Sequence, residues 1–192
     1  MTPKVNYTAH IYQVGTRTLP SEVCVSQEFD LAISVRDLRP RGTYNYRGLA
    51  KPLLRGVFAA YCDVIYDPSR ARVMGLPDSP TAEEFFSSFT FSAHYQNGEM
   101  AFEGADRINE LGAFATTFTG LGVAAFEVVR VQMQAIKSGP LTFTPDVTKL
   151  PHPQCDTLVF GNLAASPTEE SYVISPQEIY LVGVSVNVRE KV

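Results

Sequence analysis

Residues Gly56–Asp67, GVFAAYCDVIYD, decide the fold. Successive side chains of an extended chain point to opposite faces, so Phe58, Ala60, Cys62, Val64 and Tyr66 share one side and Val57, Ala59, Tyr61, Asp63 and Ile65 the other. Both sides are largely apolar, and the β-branched and aromatic residues favour a strand. Asp67-Pro68-Ser69-Arg70 then makes a turn, and Ala71–Met74 restarts as a short strand.

The segments before it follow the same rule. In Glu28–Asp37 (EFDLAISVRD), Phe29, Leu31, Ile33 and Val35 fall on one face and Asp30, Ala32, Ser34 and Arg36 on the other, which predicts a strand with one buried face. Val5–Val14 alternates well enough for a first strand, so residues 1–20 read as an N-terminal strand extension. Between these strands and Gly56 lies RPRGTYNYRGLAKP, residues 39–52. Its two Pro, two Gly and three Arg predict an exposed loop carrying Tyr44 and Tyr46.

Downstream, Asp78-Ser79-Pro80 leads into Thr81, with Glu84 as a capping-box partner and Phe85 and Phe86 as an apolar side, which predicts a helix of one or two turns. Phe89–Tyr95 alternates as a strand. Gln96-Asn97-Gly98-Glu99 centres on Asn-Gly, the preferred pair for a type I′ hairpin, so Met100–Phe102 is expected to pair back across it. Ile108–Thr117, Val123–Ala135, Leu141–Thr144, Thr157–Phe160, Tyr172–Ile174 and Ile179–Val188 supply further strands, with a tight turn at Ser138-Gly139-Pro140. About ten short strands, little helix and no strand–helix alternation predict an all-β antiparallel β-sandwich with one short helix, in a single domain over 1–192.

Composition narrows the function. The 192 residues carry 16 Lys+Arg against 20 Asp+Glu, a net charge of −4, which argues against nucleic-acid binding by bulk charge. With 45% hydrophobic and 19% charged residues the chain can bury a large core. No apolar run reaches the roughly 18 residues needed to span a bilayer, so no membrane insertion is expected; the longest nearly uncharged run, Leu111–Phe126, is broken by Gly and Thr. MTPKVNYTAH lacks the charged start and apolar run of a secretory signal. Cys24, Cys62 and Cys155 are odd in number and widely spaced, which leaves the redox compartment open.

Catalytic and metal signatures are weak. There is no GxSxG elbow and only His10, His94 and His152, so no nucleophile–base–acid set stands out. Cys62 reads as a small hydrophobe on an apolar strand. His152 and Cys155 would need two further ligands to hold a metal. The acids and amides of Asn97–Glu110 leave calcium possible but do not match an EF-hand loop, and Gly120-Leu121-Gly122 is no phosphate loop. Neither an enzyme nor a cofactor is expected. Sugar binding on a sandwich relies on aromatic rings; Trp is absent, and Tyr44, Tyr46 and Tyr95 are the candidates, against a core role for most of the 12 Phe and 9 Tyr.

The order of GVFAAYCDVIYDPSRARV, INELGAF and LVFG…ISPQEIYLVGVSVNV resembles the cohesin-like domains of large bacterial surface proteins, over about residues 21–192. The most specific piece is Tyr66-Asp67-Pro68 with the short strand after it. Next come Gly112-Ala113-Phe114, the strand at 126–131, Gly139 and Phe143-Thr144-Pro145-Asp146. The resemblance implies a jelly-roll sandwich without catalytic activity that binds a dockerin-type module, or a second copy, through one flat sheet face. It implies that Ala59, Tyr61, Asp63 and Ile65 meet the partner, with Tyr61 and Ile65 at the centre and Asp63 at the margin. Ala60, Cys62, Val64 and Tyr66 then point inward, the same two faces that alternation gives. An extracellular or cell-surface setting is implied, in which Cys24 and Cys155 would be the pair to test for a bridge. The alternatives are a carbohydrate-binding module using Tyr44, Tyr46 or Tyr95, and a self-assembling subunit of a surface layer or filament.

Overall fold

The computed structural model describes residues 2–52, 55–74, 89–91, 95–102, 106–115, 122–147, 157–160 and 171–191. Within them the chain forms β1 (Val5–Tyr12), β2 (Val23–Cys24), β3 (Glu28–Asp37), β4 (Thr43–Tyr46), β5 (Leu49–Pro52), β6 (Val57–Ile65), β7 (Ala71–Val73) and β8 (Phe89–Phe91). There follow β9 (Tyr95–Phe102), β10 (Arg107–Ala115), β11 (Ala125–Ala135), β12 (Gly139–Asp146), β13 (Leu158–Phe160), β14 (Ser171–Val173), β15 (Ile179–Val182) and β16 (Val184–Arg189). One sheet runs β15-β1-β3-β11-β7, with β8 also on β11; the other runs β14-β13-β6-β12-β16-β2, with β10 on β6 and β9 on β10. Pairing is antiparallel except for β1 with β15 and β16 with β2. The fold is an all-β sandwich, as the alternation predicts.

The core is the space between the two sheets. Phe29, Leu31, Ile33 and Val35 of β3 and Val129, Val131 and Met133 of β11 face Ala60, Cys62 and Val64 of β6, Ile108 and Leu111 of β10, and Leu141 and Phe143 of β12. The Phe29 ring meets Phe143 edge-on at 5.9 Å, and Tyr66 stacks on Phe143 at 5.8 Å, so aromatic contacts join the two sheets. The Asp67 turn forms as expected: Asp67 Oδ1 accepts the Ser69 N–H at 2.8 Å and its carbonyl accepts the Arg70 N–H at 3.0 Å.

Several local expectations are overturned. Asn97-Gly98 makes no hairpin turn, because β9 runs straight through it and pairs with β10 instead. The register shift between the Gly112↔Glu99 and Phe114↔Gln96 pairs absorbs the dipeptide as a bulge. The type I′ hairpin lies within residues 39–52, expected to be a loop: β4 and β5 pair, Tyr46 opposes Leu49, and Arg47 and Gly48 between them have φ of 51° and 83°. Ile179–Val188 is not one strand. It leaves one sheet at Val182 and joins the other at Val184, and Gly183 sits at the crossing, where a Cβ would lie 2.8 Å from the Phe143 carbonyl oxygen. Asp30 and Ala32, expected to face solvent, are buried. The helix expected around Asp78–Phe86 lies outside the described residues.

Candidate partner-binding face

β6 is the strand on which the site was expected, and it has three partners. β10 pairs along one edge from Ala59 to Ile65; the other edge is shared by β13, at Val57 and Ala59, and β12, at Asp63–Ile65. The pairing with β13 shifts at Phe58, where β6 carries an extra residue. That bulge reverses the alternation upstream, so Val57 joins the main core although it was expected on the opposite side.

The outer face of β6 carries its own small cluster: Ala59 and Tyr61, with Phe58, Phe114 and Leu158 packed against them. The Phe58 and Phe114 rings lie 6.5 Å apart. Ala59 is 3% exposed, Tyr61 4% and Asp63 3%, while Ile65 is half-buried. Three of the four residues expected on an open surface are therefore closed over within the chain; among the described residues Phe58, Ile65, Phe114 and Leu158 remain half-exposed on this face, with the exposed Val173 opposite Leu158 in register. Gly112, opposite Tyr61 in register, brings β10 unusually close: a Cβ there would sit 2.0 Å from the Ala60 carbonyl oxygen.

Asp63 is committed to the fold. Its Oδ2 accepts a hydrogen bond from Arg107 Nη1 at 2.6 Å and its Oδ1 accepts the Glu110 N–H at 3.1 Å. Glu110 has φ 54° and sits at the register shift between Ile108 and Leu111, so Asp63 fastens the bulge that bends β10. Asp146 lies opposite Asp63 in register, and Arg107 Nη1 stands 3.5 Å from Asp146 Oδ2. Two carboxylates directly opposed would repel, and the shared guanidinium removes the conflict. Partial desolvation works to lower the Arg107 pKa, but the hydrogen bond and charge of Asp63, with Asp146 behind them, outweigh it and hold the pKa above its usual value. Arg107 was missed in the sequence because no pattern of spacing links it to Asp63 and Asp146.

A cavity of about 90 Å³ opens where β12 ends and β13 begins, lined among others by Tyr7, Tyr61, Cys62, Asp146, Val147 and Thr157. Across it the Tyr7 hydroxyl and Thr157 Oγ1 hydrogen-bond at 2.7 Å. Cys62 is buried, and that burial pushes its thiol well above its ordinary pKa, with Asp63 and Asp146 adding to the effect. Cys24 and Cys62 are free thiols, and Cys155 lies outside the described residues, as do His94 and His152. Among the described residues no group of three His, Cys, Asp or Glu side chains could hold a metal ion. Tyr44 and Tyr46 are placed by register opposite Lys51 and Leu49, and Tyr95 begins β9; their side chains lie outside the described part.

The fold has counterparts among solved structures. It is similar to a cohesin module from a family 33 glycoside hydrolase of Clostridium perfringens ATCC13124, with a TM-score of 0.58 and 12% identity over 99% of this chain and 100% of that one. It is equally similar to the seventh ScaB type I cohesin of Pseudobacteroides cellulosolvens, at TM-score 0.58 and 9% identity over 100% and 96%. The Coh-OlpC-Doc435 cohesin–dockerin complex of Clostridium thermocellum matches at TM-score 0.50 and 6% identity, over 97% and 95%. No family model and no curated protein matches the sequence. The fold is thus cohesin-like along nearly the whole chain.

Proposed function

We propose that the chain is a non-catalytic protein-interaction module, cohesin-like in use as well as in fold, that takes a dockerin-type partner on the outer face of the sheet containing β13, β6, β10 and β9. The observation that carries this reading is the second apolar cluster, outside the core, on the central strand of a cohesin-like sandwich. The contact surface is the half-buried rim of Phe58, Ile65, Phe114 and Leu158, and the buried Tyr61 and Ala59 support it from beneath. Asp63 acts through Arg107 and the β10 bulge by shaping the sheet. The likeness to cohesin modules also supports an extracellular or cell-surface setting. Among the described residues no helix is long and apolar enough to cross a membrane.

The test is titration calorimetry against purified dockerin modules. Leu158→Ala and Ile65→Ala should each weaken binding by more than about 1 kcal/mol while leaving the melting temperature near that of the parent. Absence of binding across a panel of dockerins would overturn the assignment.

A further inference from the structure

The cavity at the fork of β12 and β13 is a binding pocket in its own right, and we propose that it takes a small neutral aliphatic alcohol of about four carbons. This inference does not rest on the docking-face reading, because it concerns the space between the sheets and a different kind of ligand.

Position is the first observation. β13 pairs with β6 at Val57 and Ala59, and β12 pairs with it at Asp63–Ile65, so the two strands part beside Tyr61. The cavity of about 90 Å³ lies in that fork. Its far wall belongs to the other sheet, with Tyr7 on β1 and Ile179 and Leu181 on β15. The frame is held before any ligand arrives. Thr157 accepts the Ile174 N–H on its carbonyl at 2.8 Å, and its hydroxyl bonds that of Tyr7 at 2.7 Å. A preformed pocket loses little entropy on binding.

Size sets the bulk of the ligand. A cavity of about 150 Å³ holds the six carbons of benzene, so this one holds about four heavy atoms by proportion. Val173 and Pro176, both exposed, stand at its mouth and leave room for one atom more. A sugar ring is too large.

The lining sets the polarity. Val147, Ile174, Ile179 and Leu181 make the walls largely aliphatic, which suits a branched carbon chain. Among them Thr157, 3% exposed, brings a polar atom. A hydroxyl has one proton and two lone pairs, and the bond to Tyr7 uses one of these, so Thr157 Oγ1 can also pair with a ligand hydroxyl. A ligand that keeps this bond while burying carbon on the aliphatic walls gains over water in the same place. Charge is disfavoured. Arg107 serves two carboxylates, Asp63 and Asp146, and Asp146 lines the cavity, so this side is net negative and repels an anion. A cation drawn inside would lose its water.

Isobutanol titrated into the full chain, followed by methyl chemical shifts, tests the proposal. Saturable shifts at Ile174, Ile179 and Leu181 are expected, with the millimolar affinity that so few atoms allow. Thr157→Val keeps the shape, drops the hydroxyl and should weaken binding about fivefold or more. Thr142→Val, at an exposed threonine on β12, should stay within about twofold of the parent. Isobutyrate and cyclohexanol should each bind the parent at least about tenfold more weakly than isobutanol, the first for its charge and the second for its size. Should Thr157→Val not give a cooperative melt, the three ligands on the parent decide. No saturable shift, shifts scattered beyond the cavity, equal binding by Thr157→Val, or isobutyrate or cyclohexanol binding as tightly as isobutanol overturns the proposal.

Discussion

The outsides of the two large sheets are closed in opposite ways. On the sheet of β3, the cover is polar and directional. Asp30 accepts the Gly15 N–H at 2.8 Å and Arg130 Nη1 at 3.1 Å. The Arg130 fork also grips Glu127 at 2.6 and 3.0 Å and donates to the Thr16 carbonyl, so the turn after β1 is tied down over the strands. The same guanidinium lies 5.1 Å from the centre of the Tyr12 ring, which stacks on His10 at 5.6 Å. On the sheet of β6 the cover is apolar, with Tyr61 and Ala59 packed under Phe58, Phe114 and Leu158, and the ion pairs of β6 itself lie at its Asp63 end. A polar closure fixes one segment in one place and responds to pH; an apolar closure is sensitive to volume and leaves greasy rims on which another protein can rest.

The largest effect is expected where the two modes meet. Arg107→Met leaves Asp63 buried and facing Asp146 with no countercharge, which should cost about 3–5 kcal/mol in urea unfolding at neutral pH. A variant as stable as the parent at pH 7 would mean that the triad does not hold the β10 bulge.

A smaller loss should follow from emptying the apolar closure. Tyr61→Ala removes a ring that is only 4% exposed and should cost about 3 kcal/mol. A loss under about 1 kcal/mol, the range of an exposed site, would show that the cluster opens in solution.

The smallest effect belongs to the polar side and depends on pH. Burial lowers the His10 pKa below its usual value of about 6.5, and the Glu127 charge opposes this without cancelling it. The folded state thus favours the neutral ring. The stability it contributes is fully present above pH 6.5 and is lost as the pH falls through the folded pKa. Wild-type melting temperature should drop from pH 7.5 to pH 5.5, and His10→Gln should flatten that drop; identical profiles would place His10 outside the closure.

How legible each region is in the sequence follows from the range of the forces that shape it. The inward face of Glu28–Asp37 could be read directly, because alternation is set by neighbours along one strand, whereas the burial of Asp30 and Ala32 on its other face comes from segments that cover it. The inward face of β6 was legible for the same reason from Ala60 onward, and the Phe58 bulge hid Val57, since a bulge depends on what β13 requires. Asn97-Gly98 and Arg47-Gly48 are both competent at a type I′ turn. Only the partner strands decide: β9 has β10 beside it and runs on, while β4 has β5 two residues away and folds back. The candidate site divides in the same manner. Residues 59, 61, 63 and 65 share a face by periodicity, but their burial comes from Phe114 and Leu158, and the role of Asp63 from Arg107 and the Glu110 N–H, each more than 40 residues away in sequence.

What the sequence by itself determined is therefore the class: mostly β, apolar enough for a two-sheet core, with strands whose inner faces are written in a period of two. The tertiary structure alone decided which faces stay open. Solvent exposure is a property of the space between elements, and the side chains that close over Tyr61 and tie down the turn beyond β1 approach from strands and turns that no local pattern connects to them.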